Sequence, residues 1–463
     1  MKENIQILID FGSTFTKAVA VDLDKIEILA RTRVPSTVDT DITIGLKQAL
    51  TQLAIEAGIK DLDGSKAKAC SSAAGGLRMV CVGFVPEYTS EAANLAALGA
   101  GARVVGIYSY ELDEKEITEI ESLAPDILLL SGGTDGGNTR VIIHNARLLA
   151  RTGQKIPNII VAGNKAAYQE IREIFKNSPK RIIFTANVMP EIGKLNLHQC
   201  NSEIRELFLK HIIEAKGISR AKALIGDVIM PTPSAVFEAA KLIAGGTANQ
   251  PGLGELLIVD TGGATTNVHS IAHGNPCQPG VVLTGLPEPY AKRTVEGDLG
   301  LKYNLDTLLE LMNGRYKSAH LLEIIGRFKE GRLPETEDEL TCHNILSYLA
   351  VEKAVERHCG KLEEIYSPAG KMLLQRGKDL SNIGYVIGTG GALAYSKTPQ
   401  KILSAALYNP ARPDILKPIK PRFLVDEQYI LYAVGLLSQS DSEKAFKLAK
   451  RYLKEIHNNL QAN

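Results

Sequence analysis

Net charge, tryptophan and closely spaced cysteines are all scarce in this sequence of 463 residues. The 53 basic side chains nearly cancel the 52 acidic ones and leave a formal net charge of +1. Without an overall positive field, the chain has no general attraction for nucleic acid or for anionic lipid. We therefore expect no nucleic-acid partner and no membrane partner. The absence of tryptophan excludes nothing.

The cysteines are few and scattered, and none forms a Cys-x-x-Cys pair. They are Cys70, Cys81, Cys200, Cys277, Cys342 and Cys359. This spacing argues against a zinc site, an iron–sulfur cluster bound within one chain, and a disulfide scaffold.

Long apolar runs and an N-terminal targeting segment are also missing. No apolar stretch approaches the roughly 20 residues that span a bilayer, and the first residues lack a charged region followed by an apolar core and a cleavage site. We therefore expect a cytoplasmic protein. With 44% hydrophobic residues, the chain can form well-packed cores in two or three domains.

Residues 256–268 form the most informative stretch. Four apolar residues lead into Asp260, two glycines follow, and two threonines precede Val268. The pattern predicts a buried strand, a glycine turn and a returning strand. Such a turn lets backbone N–H groups approach an anion, and a carboxylate at the strand end can hold Mg²⁺, usually through water. The motif by itself is more often a plain hairpin turn than a phosphate site.

A second copy of this pattern lies near the N-terminus, where an apolar strand ends at Asp10 and Gly12 and hydroxyl residues follow. Two such hairpins predict two similar domains that face a shared phosphate chain. Residues 384–393 add another strand with a glycine turn, and residues 126–138 add one that contains four glycines. From Asp10 to Gly132 is 122 residues and from Asp260 to Gly390 is 130, which supports a duplication of the chain. The turn at Gly132 could bind an anion or could be the counterpart of the turn at Gly390, but we favour a purely structural role for it.

Strands alternate with helices along the first half of the chain, which indicates a βαβ arrangement. A polar Gly/Pro stretch before the second hairpin predicts a boundary between domains 1–246 and 247–463, with the C-terminal helices packing back toward the first domain. We also expect residues 305–374 to be mostly helical.

The motifs together resemble the ATPase superfamily that contains actin, heat-shock chaperones and sugar kinases. Asp10-x-Gly-Ser-Thr resembles its first phosphate loop, Asp260-Thr-Gly-Gly its second, and Gly388-Thr-Gly-Gly-Ala its adenosine loop. The stretches that begin at Pro231 and Asp426 resemble its connecting helices. The resemblance implies an α/β fold of two duplicated ribonuclease-H-like (actin-like) domains that flank a nucleotide cleft.

Within that superfamily, nearly the whole chain is similar to the GlmL/MutL family, whose members accompany adenosylcobalamin-dependent glutamate mutase. The stretches that carry this similarity are 9–14, 71–79, 130–138 and 293–300. The resemblance implies an ATP-binding and ATP-hydrolysing accessory protein that reactivates such a mutase, with the mutase subunits as partners. A small-molecule kinase of the same fold is the alternative.

The resemblance also implies the roles of individual residues. Asp10 and Asp260 would be catalytic and would hold Mg²⁺ through water. The residues expected to contact ATP are Gly12, Ser13, Thr14, Lys17, Thr261, Gly262, Gly263, Thr265, Gly388, Gly390 and Gly391. Lys17 has a second reading as an exposed strand lysine. Heat-shock relatives carry a catalytic Glu where this chain has Met230, so slow hydrolysis is expected.

Overall fold

The computed structural model describes residues 4–12, 14–37, 40–59, 64–72, 77–153, 155–214, 224–312, 318–330, 332–367 and 370–457. The chain divides into two compact units. The first comprises Met1–Gly75, Ile212–Leu283 and Pro289–Asn463, and the second comprises Gly76–His211 and Thr284–Glu288. The predicted boundary between residues 246 and 247 falls inside the first unit, and the two-domain division at that point stays a prediction.

The first sheet of the first unit contains the N-terminal hairpin. Its strands are β1 (Ile5–Phe11), β2 (Phe15–Asp22), β3 (Glu27–Pro35), β4 (Lys68–Ser71) and β10 (Asp227–Pro231). They lie in the order β10–β4–β1–β2–β3. The first three strands form an antiparallel meander, whereas β4 is parallel to both β1 and β10.

The second sheet of this unit repeats the plan. Its strands are β11 (Leu256–Thr261), β12 (Thr266–Ile271), β14 (Ala291–Glu296), β17 (Tyr385–Thr389), β18 (Arg422–Val425) and β19 (Lys454–Ile456). The order is β14–β12–β11–β17–β18–β19, with β11, β12 and β14 antiparallel and with β17 and β18 parallel to β11. The same strand order in both sheets confirms the predicted α/β fold with duplicated ribonuclease-H-like sheets.

The helices of the first unit cover these sheets. They are α1 (Ile42–Ala57), α7 (Thr232–Gly245), α8 (Leu305–Leu311), α9 (Ala319–Lys329), α10 (Glu337–His358), α11 (Gly391–Ala394), α12 (Pro399–Leu403), α13 (Leu431–Ser438) and α14 (Ser442–Tyr452). Helix α1 ends at Ala57, because Gly58 adopts a left-handed conformation and its N–H caps the last turn.

Helices α7 and α13 cross at very close range. A Cβ on Gly435 would lie 1.8 Å from the carbonyl oxygen of Ala235, so only glycine permits this approach. Both helices share one buried core with strands of the two sheets, including Leu8 of β1 and Ile258 of β11. This core holds the ends of the two hairpins in a fixed relation.

The prediction that residues 305–374 are mostly helical is wrong in its last part. Strands β15 (Lys361–Ser367) and β16 (Gly370–Arg376) form an antiparallel hairpin there, and a small sheet joins them to β13 (Val281–Thr284) in the order β13–β16–β15. Short apolar runs of this kind fit helix and strand alike, and the pairing partner decides between them.

The second unit contains a separate five-stranded sheet. Its strands are β5 (Arg78–Val82), β6 (Arg103–Tyr108), β7 (Ile127–Leu130), β8 (Asn158–Val161) and β9 (Arg181–Phe184), and its helices are α2 (Glu91–Ala100), α3 (Glu114–Leu123), α4 (Arg140–Arg151), α5 (Tyr168–Ile174) and α6 (His198–Glu214). The order β6–β5–β7–β8–β9 is parallel throughout, as the alternating pattern predicted.

This topology excludes Gly132 as the counterpart of Gly390. The strand of the first sheet that corresponds to β17 is β4, since each is the parallel neighbour of the first hairpin strand. The chain position that corresponds to Gly390 therefore follows β4, and residues 73–76 there lie outside the described ranges. Gly132 follows β7 in the other unit, so the similar spacing in sequence was a coincidence.

Among the residues that the structure describes, no helix combines the length and the apolar composition needed to cross a bilayer.

Candidate functional site

The first hairpin places Asp10 beside Lys17, because the two residues are paired in the register of β1 and β2. The turn between the strands is tight. The N–H of Gly12 donates to the carbonyl of Phe15 at 3.1 Å, and a Cβ on Gly12 would lie 2.6 Å from that oxygen. Thr14 lies in the same turn, whereas the predicted site residue Ser13 lies outside the described residues.

Asp10 is buried and both of its carboxylate oxygens are engaged. Lys17 Nζ donates to Oδ2 at 2.7 Å, and Thr232 Oγ1 donates to Oδ1 at 2.5 Å. Thr232 is the first residue of α7, which is separated from Asp10 by most of the first half of the chain. The stretch that begins at Pro231 was predicted to be a connecting helix, but its contact with Asp10 was not predicted.

Lys17 is not an exposed strand lysine, because only 15% of its side chain is accessible to solvent. Burial is the largest single influence on the pKa of Lys17 and lowers it, but the contributions of Asp10 and Tyr429 together outweigh burial and the pKa is raised overall. The ammonium group therefore stays charged next to the first turn.

The second hairpin has the same construction, with Asp260 at the end of β11. The N–H of Gly262 donates to the carbonyl of Thr265 at 3.0 Å and closes the turn. A Cβ on Gly263 would lie 3.1 Å from Thr14 Oγ1, so the two turns meet. The structure thus brings the two predicted phosphate turns together within the first unit.

The end of the stretch 293–300 and the two residues that follow it contact the second turn. The N–H groups of Leu301 and Lys302 donate to the carbonyls of Gly262 and Gly263 at 3.1 and 2.8 Å. A Cβ on Gly300 would lie 2.4 Å from the carbonyl group of Ala264, which explains a glycine at this position. Sequence reasoning found this stretch by resemblance only and did not predict its contact with the turn.

Asp260 differs from Asp10 in its surroundings. It is 8% exposed and accepts no hydrogen bond from any residue that the structure describes. Burial, followed by the nearby charge of Asp10, raises the pKa of Asp260 from 3.8 to about 6, although Lys17 opposes this shift. The site therefore contains one engaged carboxylate and one without a hydrogen-bonding partner.

The third glycine loop packs against the second hairpin. Gly390 has a φ of +90°, and a Cβ on it would lie 2.4 Å from the carbonyl oxygen of Thr261 and 2.8 Å from Asp260 Oδ1. A Cβ on Gly388 would meet Leu403 at 3.0 Å in the core, whereas a Cβ on Gly391 would have no atom of the described residues within 4 Å, its chain neighbours and its own helix backbone aside. Of the three glycines, Gly391 is the one with open space beside it.

A separate cavity of about 990 Å³ lies along the outer side of α10 and is lined by Leu340, Asn344, Tyr348, Lys397 and Arg412, among others. No predicted site residue lines it. Met230, at the position of the catalytic Glu in heat-shock relatives, is 7% exposed and belongs to the apolar core.

The raised pKa of Asp260 predicts a stability effect for Asp260→Asn in the protein without ligand. The folded protein holds the Asp260 proton more tightly than the unfolded chain. This contribution to stability is fully present below pH 3.8 and is lost as the pH rises through about 6. Above about pH 6, the buried charge therefore lowers the free energy of unfolding of the wild type by up to roughly 3 kcal/mol. Asparagine carries no charge and avoids this loss.

We expect Asp260→Asn to have a higher Tm than the wild type at about pH 8 and a smaller advantage at about pH 5. Calorimetric or fluorescence-monitored unfolding at both pH values measures this difference. Asp306→Asn is the matched control, because that side chain is 79% exposed. The same Tm difference at both pH values would show that the pKa of Asp260 is not raised in the folded protein.

Comparison with known proteins identifies close sequence relatives. A family model described as MutL protein matches residues 6–453. Protein MutL from Clostridium tetanomorphum is 46% identical over 459 residues, and the alignment covers 97% of this chain and 99% of that protein.

Solved structures are more distant. A nucleotide-free acetone carboxylase matches with a TM-score of 0.41 and 12% identity over 94% of this chain and 70% of its own. The activator of 2-hydroxyisocaproyl-CoA dehydratase from Clostridium difficile, with bound ADPNP, matches with a TM-score of 0.31 and 11% identity, over 98% of this chain and 99% of its own. A glycerol dehydratase reactivase matches with a TM-score of 0.34 and 10% identity, over 94% of this chain and 100% of its own. With TM-scores this low, none of them carries a conclusion about what this chain does.

Proposed function

The chain belongs to the MutL protein family, and on that premise we propose that it is an ATP-dependent accessory protein that reactivates an adenosylcobalamin-dependent mutase such as glutamate mutase. The observation that carries the nucleotide part of this proposal is the meeting of two carboxylate-bearing glycine turns within one unit. The mutase partner rests on the family resemblance of the sequence.

The residues present fit Mg-ATP. Asp260 is a carboxylate without a hydrogen-bonding partner among the described residues, and the Thr261 hydroxyl is buried and likewise unpaired. Within the described parts of the chain, no three His, Cys, Asp or Glu side chains form a group that could hold a metal by themselves. Mg²⁺ suits such a site, because it keeps several waters and takes other ligands from substrate phosphates.

Each turn would contribute to phosphate binding through its backbone. The N–H groups of the two turns, with the hydroxyls of Ser13, Thr14, Thr261 and Thr265, would stabilise negative charge. Lys17 would supply the positive charge nearest the first turn. Adenosine would lie beside Gly391, a placement supported by the free space that a Cβ would have there among the described residues.

When bound, Mg-ATP supplies the phosphoryl group and the cation that neutralises its charge. Asp260 would hold hydrated Mg²⁺ and orient the attacking water, since a carboxylate with a pKa of about 6 is ionised at neutral pH and accepts hydrogen bonds. Asp10 would hold Lys17 and, through water, the same cation. The apolar Met230 offers no group that polarises water, so we assign that role to Asp260.

The test is recovery of a mutase that has been stalled with damaged cobalamin. A conformational ATPase does work only if its ATP and ADP states differ in affinity for the partner. We therefore expect wild-type protein with ATP to restore mutase turnover, and expect neither a non-hydrolysable analogue nor Asp260→Asn with ATP to do so.

Two outcomes would contradict the proposal. Equal recovery under all three conditions would exclude hydrolysis as the driver. Phosphorylation of a small metabolite in a substrate panel, together with failure to bind any cobalamin mutase, would favour the kinase alternative.

A further inference from the structure

Tyr429 adopts a backbone conformation that is rare for a bulky residue. Its φ is +52°, in the left-handed region. The Tyr429 N–H donates to the carbonyl of Asp426 at 3.0 Å, and the Asp426 carboxylate accepts the next two backbone N–H groups, from Ile430 and Leu431, at 2.9 Å each. The surroundings therefore impose this conformation, and strained residues of this kind cluster at functional sites.

The imposed conformation places the tyrosine ring on the ammonium group of Lys17. Lys17 Nζ lies 4.1 Å from the ring centroid of Tyr429, and the same nitrogen donates a hydrogen bond to Asp10 at 2.7 Å. A cation over an aromatic face is attracted by the ring quadrupole, more strongly where water is excluded. The Lys17 charge is thus held between a carboxylate and a ring.

The same segment is tied to the third glycine loop. Thr389 Oγ1 donates to Asp426 Oδ2 at 2.9 Å. Thr389 directly precedes Gly390, where an added Cβ would collide with both Thr261 and Asp260. The segment 426–431 therefore joins the loop expected to face adenosine to the lysine of the first hairpin.

We propose that Tyr429 is a positioning residue that holds the Lys17 ammonium at the mouth of the two turns and presents it to the phosphates of the nucleotide. The proposal rests on the proposed function in taking ATP as the ligand. Without the ring, Lys17 keeps its contact with Asp10 but loses the surface that covers it and limits its rotamers. Phosphate binding should then weaken, while contacts to adenosine stay unchanged.

The first experiment needs no nucleotide. The Lys17 amine is acylated with a water-soluble reagent, and peptide mass spectrometry gives its rate of modification in Tyr429→Asn, Tyr429→Leu and Tyr429→Phe. Asparagine tolerates the left-handed region, so that variant keeps the backbone. We expect Lys17 to react several times faster in both ring-free variants, and at the wild-type rate in the Phe variant, which keeps the ring.

Tyr395→Leu is the matched control. Its ring lies 6.5 Å from that of Tyr429, and its own cationic neighbour is Arg33 rather than Lys17. Lys17 should react at the wild-type rate in this variant. Equal protection of Lys17 in the wild type and in both ring-free variants would overturn the proposal.

The second experiment separates phosphate contacts from adenosine contacts. Calorimetry should show Mg-ATP bound about tenfold more weakly by Tyr429→Asn, with adenosine bound as in the wild type and with affinity restored in Tyr429→Phe. Equal weakening of both ligands would indicate general damage and refute the positioning role. A wild type that binds no Mg-ATP would refute the proposed function, and the acylation rates would still decide the role of Tyr429.

Discussion

Replacing Asp260 with asparagine should lower the rate of ATP hydrolysis by about a hundredfold or more while Mg-ATP still binds. Asparagine keeps the shape of the side chain. Because Asp260 accepts no hydrogen bond from the described residues, the change breaks none of their contacts. What it removes is the charge that would hold hydrated Mg²⁺ and orient the attacking water.

The size of the effect follows from preorganised electrostatics. Asp260 is buried, and a charge in a site that excludes water acts more strongly on a developing transition state than the same charge in solvent. Removal of one such group typically costs several kcal/mol of transition-state stabilisation. Binding is less affected, since Lys17 and the backbone of both turns remain.

Single-turnover hydrolysis and calorimetric binding should be measured on the same preparation, with Asp306→Asn as the exposed-carboxylate control. Loss of binding in Asp260→Asn would mean that the carboxylate acts on the ground state. An unchanged rate of hydrolysis would show that another group orients the attacking water.

Replacing Gly390 with valine should abolish nucleotide binding. A Cβ there would lie 2.4 Å from the Thr261 carbonyl oxygen and 2.8 Å from Asp260 Oδ1, and valine rarely adopts a φ of +90°. The resemblance to the adenosine loop would by itself give filling of the adenosine space as the cause. The structure gives a different cause, because the added atoms collide with the second hairpin and displace its carboxylate.

Gly391→Ala separates the two causes. The position has open space beside it, so the fold should tolerate the added methyl group, and any loss of affinity would report occupation of the nucleotide's own space. Gly326→Ala, in helix α9 with similar space, controls for substitution of glycine in general. Thermal unfolding checks that each variant is folded, and calorimetric titration with Mg-ATP measures its affinity. Wild-type affinity in a folded Gly390→Val would contradict the prediction.

Sequence alone determined the features that depend on neighbouring residues. Apolar runs that end in Asp and glycine predicted both hairpins. A glycine at position 58 is the ordinary signal for the end of a helix, and Asp113 with Glu116 has the sequence pattern of the capping box that the structure contains at the start of α3. Each of these signals lies within a few residues, so backbone propensity and local hydrogen bonds are sufficient to specify the structure.

The order of the motifs along the chain was also readable, and it led to the correct family and to the duplicated α/β fold. It did not reveal the separate sheet of residues 78–184, because strands of different sheets have the same local pattern. The same ambiguity left open a wrong counterpart for Gly390 and produced the wrong helical assignment for residues 361–374.

Tertiary structure alone decided which groups meet at the site. Thr232 reaches Asp10, Tyr429 covers Lys17, and Asp260 has no hydrogen-bonding partner among the described residues. The first two relations join positions more than 200 residues apart, and all three depend on strand order and on the close crossing of α7 and α13. No local preference encodes such distances, since the same hairpin would form whether its carboxylate were paired, unpaired or facing solvent.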